Sequence, residues 1–91
     1  MTSTVTAIVE ITNRLGLHAR PAMSFVETAS GFQSDVWVKG NNQRVDGKSI
    51  MQMMMLAATR GTKLEIEANG PDAEAAIARL VELVRSGFDE E

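Results

Sequence analysis

The chain has 91 residues, enough for one domain, 1–91, with a modest core, and it has no cysteine, so neither a disulfide framework nor a thiolate metal site is available. Its net charge is −3, its nine lysines and arginines are scattered, and three Phe and one Trp are its only aromatics, which disfavours nucleic acid as a partner. No apolar run reaches membrane-spanning length and Met1-Thr2-Ser3-Thr4-Val5-Thr6 lacks the basic start and apolar centre of a signal peptide, so a cytoplasmic protein without membrane insertion is expected.

Residues 5–11 alternate, Val5, Ala7, Val9 and Ile11 on one side against Thr6, Ile8 and Glu10 on the other, which predicts a half-buried strand. Residues 12–16 break the pattern and form a loop. Ala22, Phe25, Val26 and Ala29 then recur at helical spacing, with Pro21 in the first turn and Gly31 closing the run. Gly31 followed by Phe32 reads as a left-handed glycine cap with the apolar residue folded back. Val36 and Val38 against Asp35, Trp37 and Lys39 predict a second strand. Gly40-Asn41-Asn42 supplies a turn tolerant of positive φ, and residues 43–46 the return strand of a hairpin.

Ser49-Ile50-Met51-Gln52 has the spacing of a capping box, in which the serine oxygen accepts from the third helical N–H and Gln52 reaches back. The helix it opens is expected to continue through Leu56 and Ala57 to near Gly61, with Arg60 at the negative end of its dipole. Met51, Met53, Met54 and Met55 cannot all face a core. Met53 with Leu56 or Ala57 is the inward choice, and the others either fill the core loosely or form a soft apolar docking surface. Leu64, Ile66 and Ala68 against Lys63, Glu65 and Glu67 predict a strand over 63–68. Gly70-Pro71-Asp72 opens a last helix with proline in its first turn and an acid near the positive end of its dipole, and Ala73, Ile77, Leu80, Val81 and Val84 make its apolar stripe. Arg85 and Gly87 end it, Phe88 folds back, and Asp89-Glu90-Glu91 reads as a solvated tail. The order β-α-β-β-α-β-α, with strands polar on one face, predicts an α+β domain in which helices cover one side of an antiparallel sheet.

Chemistry concentrates at Gly16-Leu17-His18-Ala19-Arg20-Pro21-Ala22. His18 is the only histidine, and it stands at a helix start where the Ala19 and Arg20 N–H groups lack helical partners and Arg20 adds a guanidinium fork. A neutral imidazole there can hold a phosphoryl group briefly. No Walker-type glycine loop, acidic pair with metal-ligand spacing or base in sequence reach of His18 accompanies it, which favours a carrier over an enzyme and calls for no cofactor and no metal.

These residues carry a resemblance. Gly16 to Ala22 resembles the active-site signature of the histidine-containing phosphocarrier (HPr) family of bacterial phosphotransferase systems, and Lys48-Ser49-Ile50-Met51 resembles its regulatory-serine site. The resemblance spans essentially the whole chain. It implies an open-faced β-sandwich, a four-stranded antiparallel sheet covered on one face by three helices. It also implies that His18 takes a phosphoryl group on Nδ1 from enzyme I and hands it to enzyme II A components. Ala19 and Arg20 would bind the phosphate, Ile50, Met51 and Met54 would dock partners, and Ser49 would be phosphorylated by a dedicated kinase/phosphorylase. A monomer is expected. Leu15 and Glu27 depart from the sugar-uptake members; Leu15 together with the ending Ser86-Gly87-Phe88-Asp89-Glu90-Glu91 looks like the nitrogen-related branch (NPr), whereas the Ser49 segment points the other way. The alternatives are therefore a mainly regulatory relay in that branch, or a binding module in which His18 only presents surface.

Overall fold

The computed structural model describes residues 3–90; Glu91 of the expected tail and the first two residues of the amino terminus lie outside them. The elements follow the order β1 (Ser3–Glu10), α1 (Ala19–Ser30), β2 (Asp35–Gly40), β3 (Gln43–Asp46), α2 (Ile50–Met55), β4 (Lys63–Gly70) and α3 (Ala73–Arg85), with a short 3-10 turn over Gly87–Asp89. All strand pairs are antiparallel and the sheet order is β1-β4-β2-β3. This is the predicted open four-stranded sheet with three helices on one face. No described helix is long and apolar enough to cross a membrane.

Strand alternation sorts the residues between two environments. Val9, Val36, Val38, Leu64, Ile66 and Ala68 point inward and are buried, and the helices return Phe25, Met53, Leu56, Leu80 and Val84 to the same core. A fully buried apolar side chain of this size contributes about 1.5–3 kcal/mol, so this one interface carries most of the fold. The other sheet face is open. There the Arg44 guanidinium lies 4.3 Å from the Trp37 ring centroid and 3.7 Å from the Glu67 carboxylate, covering the one large aromatic on that side.

Four expectations about element ends need correction. Gly31 caps α1 in right-handed geometry (φ −76°), with its N–H and that of Phe32 bonded to Thr28 and Ala29 carbonyls. Helix α2 stops at Met55, well short of Gly61, so Arg60 is not on it. Asn41 Nδ2 donates to the Leu56 carbonyl at 2.9 Å and Gln43 Nε2 to that of Met55 at 3.2 Å, while Ala57 turns left-handed (φ 51°). Hairpin side chains thus satisfy the carbonyls that a longer helix would have used. Only half of the capping box forms: Ser49 Oγ accepts from Gln52 N–H at 3.2 Å, but the Gln52 side chain accepts from Asp46 N–H at 2.9 Å.

The fourth concerns Pro71, which precedes α3 rather than lying in its first turn, because Asp72 is the N-cap. Asp72 makes no side-chain cap of its own helix. Its carboxylate instead accepts from Ser34 Oγ at 2.6 Å and from the Gln33 and Ser34 N–H groups, both at 2.9 Å, tying the α1–β2 loop to the start of α3. The Ser34 hydroxyl, then the Gln33 amide, hold the Asp72 carboxyl below its ordinary value of 3.8. A lowered folded-state value means the clamp stabilises above pH 3.8 and is lost as pH falls from there through the depressed value. Urea denaturation between pH 2 and 6 should show this acid loss in the wild type and a shallower one in Asp72→Asn; parallel profiles would remove Asp72 from the acid limb.

Candidate functional site

The loop before α1 is fixed at both ends by backbone bonds. Ile11 N–H donates to the Thr62 carbonyl at 2.9 Å, Gly61 N–H to that of Ile11 at 2.8 Å, and Leu17 N–H to that of Ala58 at 2.8 Å. Gly16 is left-handed (φ 70°), and its carbonyl accepts from His18 N–H at 3.0 Å in a tight turn. Buried Leu17 and Pro21 anchor the chain on either side of His18, so the backbone is held while the ring projects outward, its side chain 36% exposed.

His18 is the N-cap of α1 in extended geometry and makes no side-chain cap. The first helical bond runs from Ala22 N–H to the His18 carbonyl at 3.0 Å. The Ala19 and Arg20 N–H groups therefore precede the helical ladder, and Pro21 has none to offer. Arg20, Arg14, Leu15, His18 and Glu90 line one open cleft of about 480 Å³.

The tail expectation is overturned at Glu90. Its carboxylate lies on the ring, with His18 Nε2 at 3.0 Å from Oε1 and 3.1 Å from Oε2, and Asn13 Nδ2 donates to the same Oε1 at 3.1 Å. Gly87, Phe88 and Asp89 are successively left-handed and Phe88 is buried, which turns the chain back so that Glu90 reaches the site. The hydrogen bond with His18 first, then that from Asn13 and the nearby Arg20 charge, hold the Glu90 carboxyl below its ordinary range. An ionised carboxylate only accepts, so Nε2 carries the hydrogen. In the neutral ring the lone pair is then on Nδ1. Sequence reading missed both Glu90 and Asn13; it also found no acid or base for His18, because this partner lies 72 residues away.

The second cluster lies on α2, which packs against α1. Met53 and Leu56 turn inward and are fully buried, and Ala57 is exposed. Ile50 (39% exposed), Met51 (79%) and Met54 (45%) face solvent, joined by Met55, which the expected docking set had left out. Ser49 caps the helix at their head. Losing that cap should cost about 1 kcal/mol. Ser49→Ala should therefore melt slightly earlier than the wild type; an unchanged melting curve would mean the 3.2 Å bond contributes nothing.

Known proteins resemble this chain in sequence and fold. A family model described as "PTS HPr component phosphorylation site" matches residues 5–86. The phosphocarrier protein HPr of Neisseria meningitidis is 51% identical over 82 residues, covering 90% of this chain and 92% of that protein. The phosphocarrier protein NPr of Escherichia coli is 42% identical over 89 residues, covering 97% and 99%. A crystal structure of HPr from Thermoanaerobacter tengcongensis superposes with a TM-score of 0.91 at 47% identity, covering 96% of this chain and 98% of that one.

Proposed function

This chain belongs to the HPr family of phosphocarrier proteins of the phosphotransferase system, and on that premise we propose that it takes a phosphoryl group from phosphorylated enzyme I onto Nδ1 of His18 and passes it to enzyme II A components. The observation that carries the reading is the Glu90 carboxylate on Nε2, which leaves the lone pair to Nδ1 in a residue that caps a helix and shares one cleft with Arg20. The Nδ1 pair attacks phosphorus, the bond from phosphorus to the donor atom of enzyme I breaks, and that donor atom keeps the electron pair. Nε2 keeps its hydrogen throughout, so the phosphorylated ring is a cation facing Glu90 and no proton need move. The Ala19 and Arg20 N–H groups, which precede the helical ladder, and the Arg20 guanidinium meet the phosphoryl oxygens. Transfer onward is the reverse, the pair returning to Nδ1.

Ile50, Met51 and Met54 form the docking surface in this reading, soft side chains that adapt to successive partners. Met51→Asp should slow transfer from enzyme I about tenfold or more by setting an unpaired charge in the contact; an unchanged rate would take Met51 out of the surface. Ser49 is the regulatory site for an HPr kinase/phosphorylase, and a phosphate there sits at a helix start among residues that dock partners. The protein acts as a cytoplasmic monomer, which sedimentation at working concentrations checks.

The reading is tested by incubation with phosphoenolpyruvate and enzyme I. An acid-labile phosphoryl group on the chain is expected, and a failure to label would overturn it, leaving a binding module. The nitrogen-related relay remains a second reading, favoured by the terminal segment that brings Glu90 to the ring and by the NPr likeness over nearly the whole chain. Rates from sugar-type and nitrogen-type enzyme I, measured side by side, decide between the pathways.

A further inference from the structure

Two polar side chains are buried among the described residues, Asn13 and Ser34, and the Asp72 clamp accounts for Ser34. Asn13 is 2% exposed. Its Nδ2 donates to the Gly16 carbonyl at 2.7 Å and to Glu90 Oε1 at 3.1 Å, two acceptors from opposite ends of the chain. Both neighbours accept, so the amide must present its NH2 to them. Its Oδ1 is buried with no partner among the described residues. A stranded acceptor is unfavourable, and an apolar side chain of similar size would avoid it. Packing therefore does not explain an asparagine here; two directed N–H bonds do.

We propose that Asn13 is a positioning residue for the His18 ring, acting through Glu90. With one hydrogen on the Gly16 carbonyl and the other on Oε1, the amide ties the loop that carries His18 to the chain end that carries the carboxylate. Glu90 is thereby kept on Nε2, which holds the hydrogen there and the lone pair on Nδ1. Without that bond the carboxylate is free to swing toward Arg20 or Arg14, the cations that line the cleft with it. The inference rests on Nδ1 being the phosphoryl acceptor, but the positioning is measurable in the unphosphorylated protein.

The experiment is the long-range 1H–15N spectrum of His18 in full-length protein at pH 9, where an imidazole is neutral and its two tautomers are distinguishable. The wild type is expected to show mainly the Nε2–H form. In Asn13→Ala the ratio of Nε2–H to Nδ1–H should fall about threefold to tenfold, the scale of part of one charge-assisted hydrogen bond. Asn13→Asp sets a second carboxylate against Glu90 and the Gly16 carbonyl, and should fall at least as far. In a Glu90→Ala background, Asn13→Ala should add nothing, because the two act as one unit. Glu90→Gln leaves the loop untouched and should lower the ratio by itself, which keeps the test decisive if Asn13→Ala disturbs the loop. A wild-type ratio in Asn13→Ala or in Glu90→Gln, or an equal drop from Asn13→Ala with and without Glu90, overturns the proposal. No phosphoryl donor enters the measurement, so a chain that keeps this coupling but does not label with enzyme I refutes the carrier reading alone.

Discussion

His18→Ala is expected to lower phosphoryl acceptance from enzyme I by at least about a thousandfold, to background, because it removes the nucleophile itself. The chain has no second histidine and no cysteine to take over. The fold should survive the change. The His18 side chain makes no helix cap and is partly exposed, so α1 loses no backbone partner, and the Ala22 N–H still bonds the carbonyl of residue 18. Loss of labelling with an unchanged circular dichroism spectrum would therefore be chemical. Acid separates the sites further: label on a nitrogen of imidazole is lost on brief acid treatment, whereas label on Ser49 from a serine kinase persists. Undiminished acid-labile label in His18→Ala would sink the assignment.

What the sequence made legible, and what it did not, divides by distance along the chain. Period-two alternation placed the inner faces of β1, β2 and β4, and helical spacing placed Phe25 and Leu80, because burial on one face is a local pattern. The pairing of a lone histidine with a helix start was equally local. The end of α2 was not, since the groups that satisfy its last carbonyls, Asn41 and Gln43, belong to the β2–β3 hairpin. Asp72 resembled an ordinary N-terminal acid and turned out to serve Gln33 and Ser34, across the fold. Glu90 was least legible of all. Three consecutive acids at a chain end read as solvated, and it is the left-handed turn at Gly87, Phe88 and Asp89 that brings Glu90 to His18.

Gly16→Ala should be the most damaging single-methyl change at the site, and Gly61→Ala provides its control. Both glycines are left-handed, Gly16 at φ 70° and Gly61 at φ 94°, so an alanine at either carries about 1–2 kcal/mol of backbone strain. They differ in surroundings. A Cβ on Gly16 would sit 2.5 Å from the Ala58 carbonyl oxygen and 2.9 Å from Thr59 Cα, both backbone atoms, whereas one on Gly61 meets nothing within 4 Å. The Ala58 carbonyl is also the acceptor for Leu17 N–H, so the loop can relieve the clash only by releasing the bond that fixes it beside His18. Overpacking of this kind costs about 1–3 kcal/mol more. Gly16→Ala should thus lose about 2–5 kcal/mol in all, lowering Tm by about 10 °C or more, with Gly61→Ala losing markedly less. Transfer should follow the same order at a temperature where both variants are folded. A loop displaced by about 1 Å is enough to cost roughly a hundredfold in rate, while Gly61 lies outside the cleft. Equal losses in the two variants, in stability and in phosphoryl acceptance, would mean that strain at the glycine matters and the close approach to Ala58 does not.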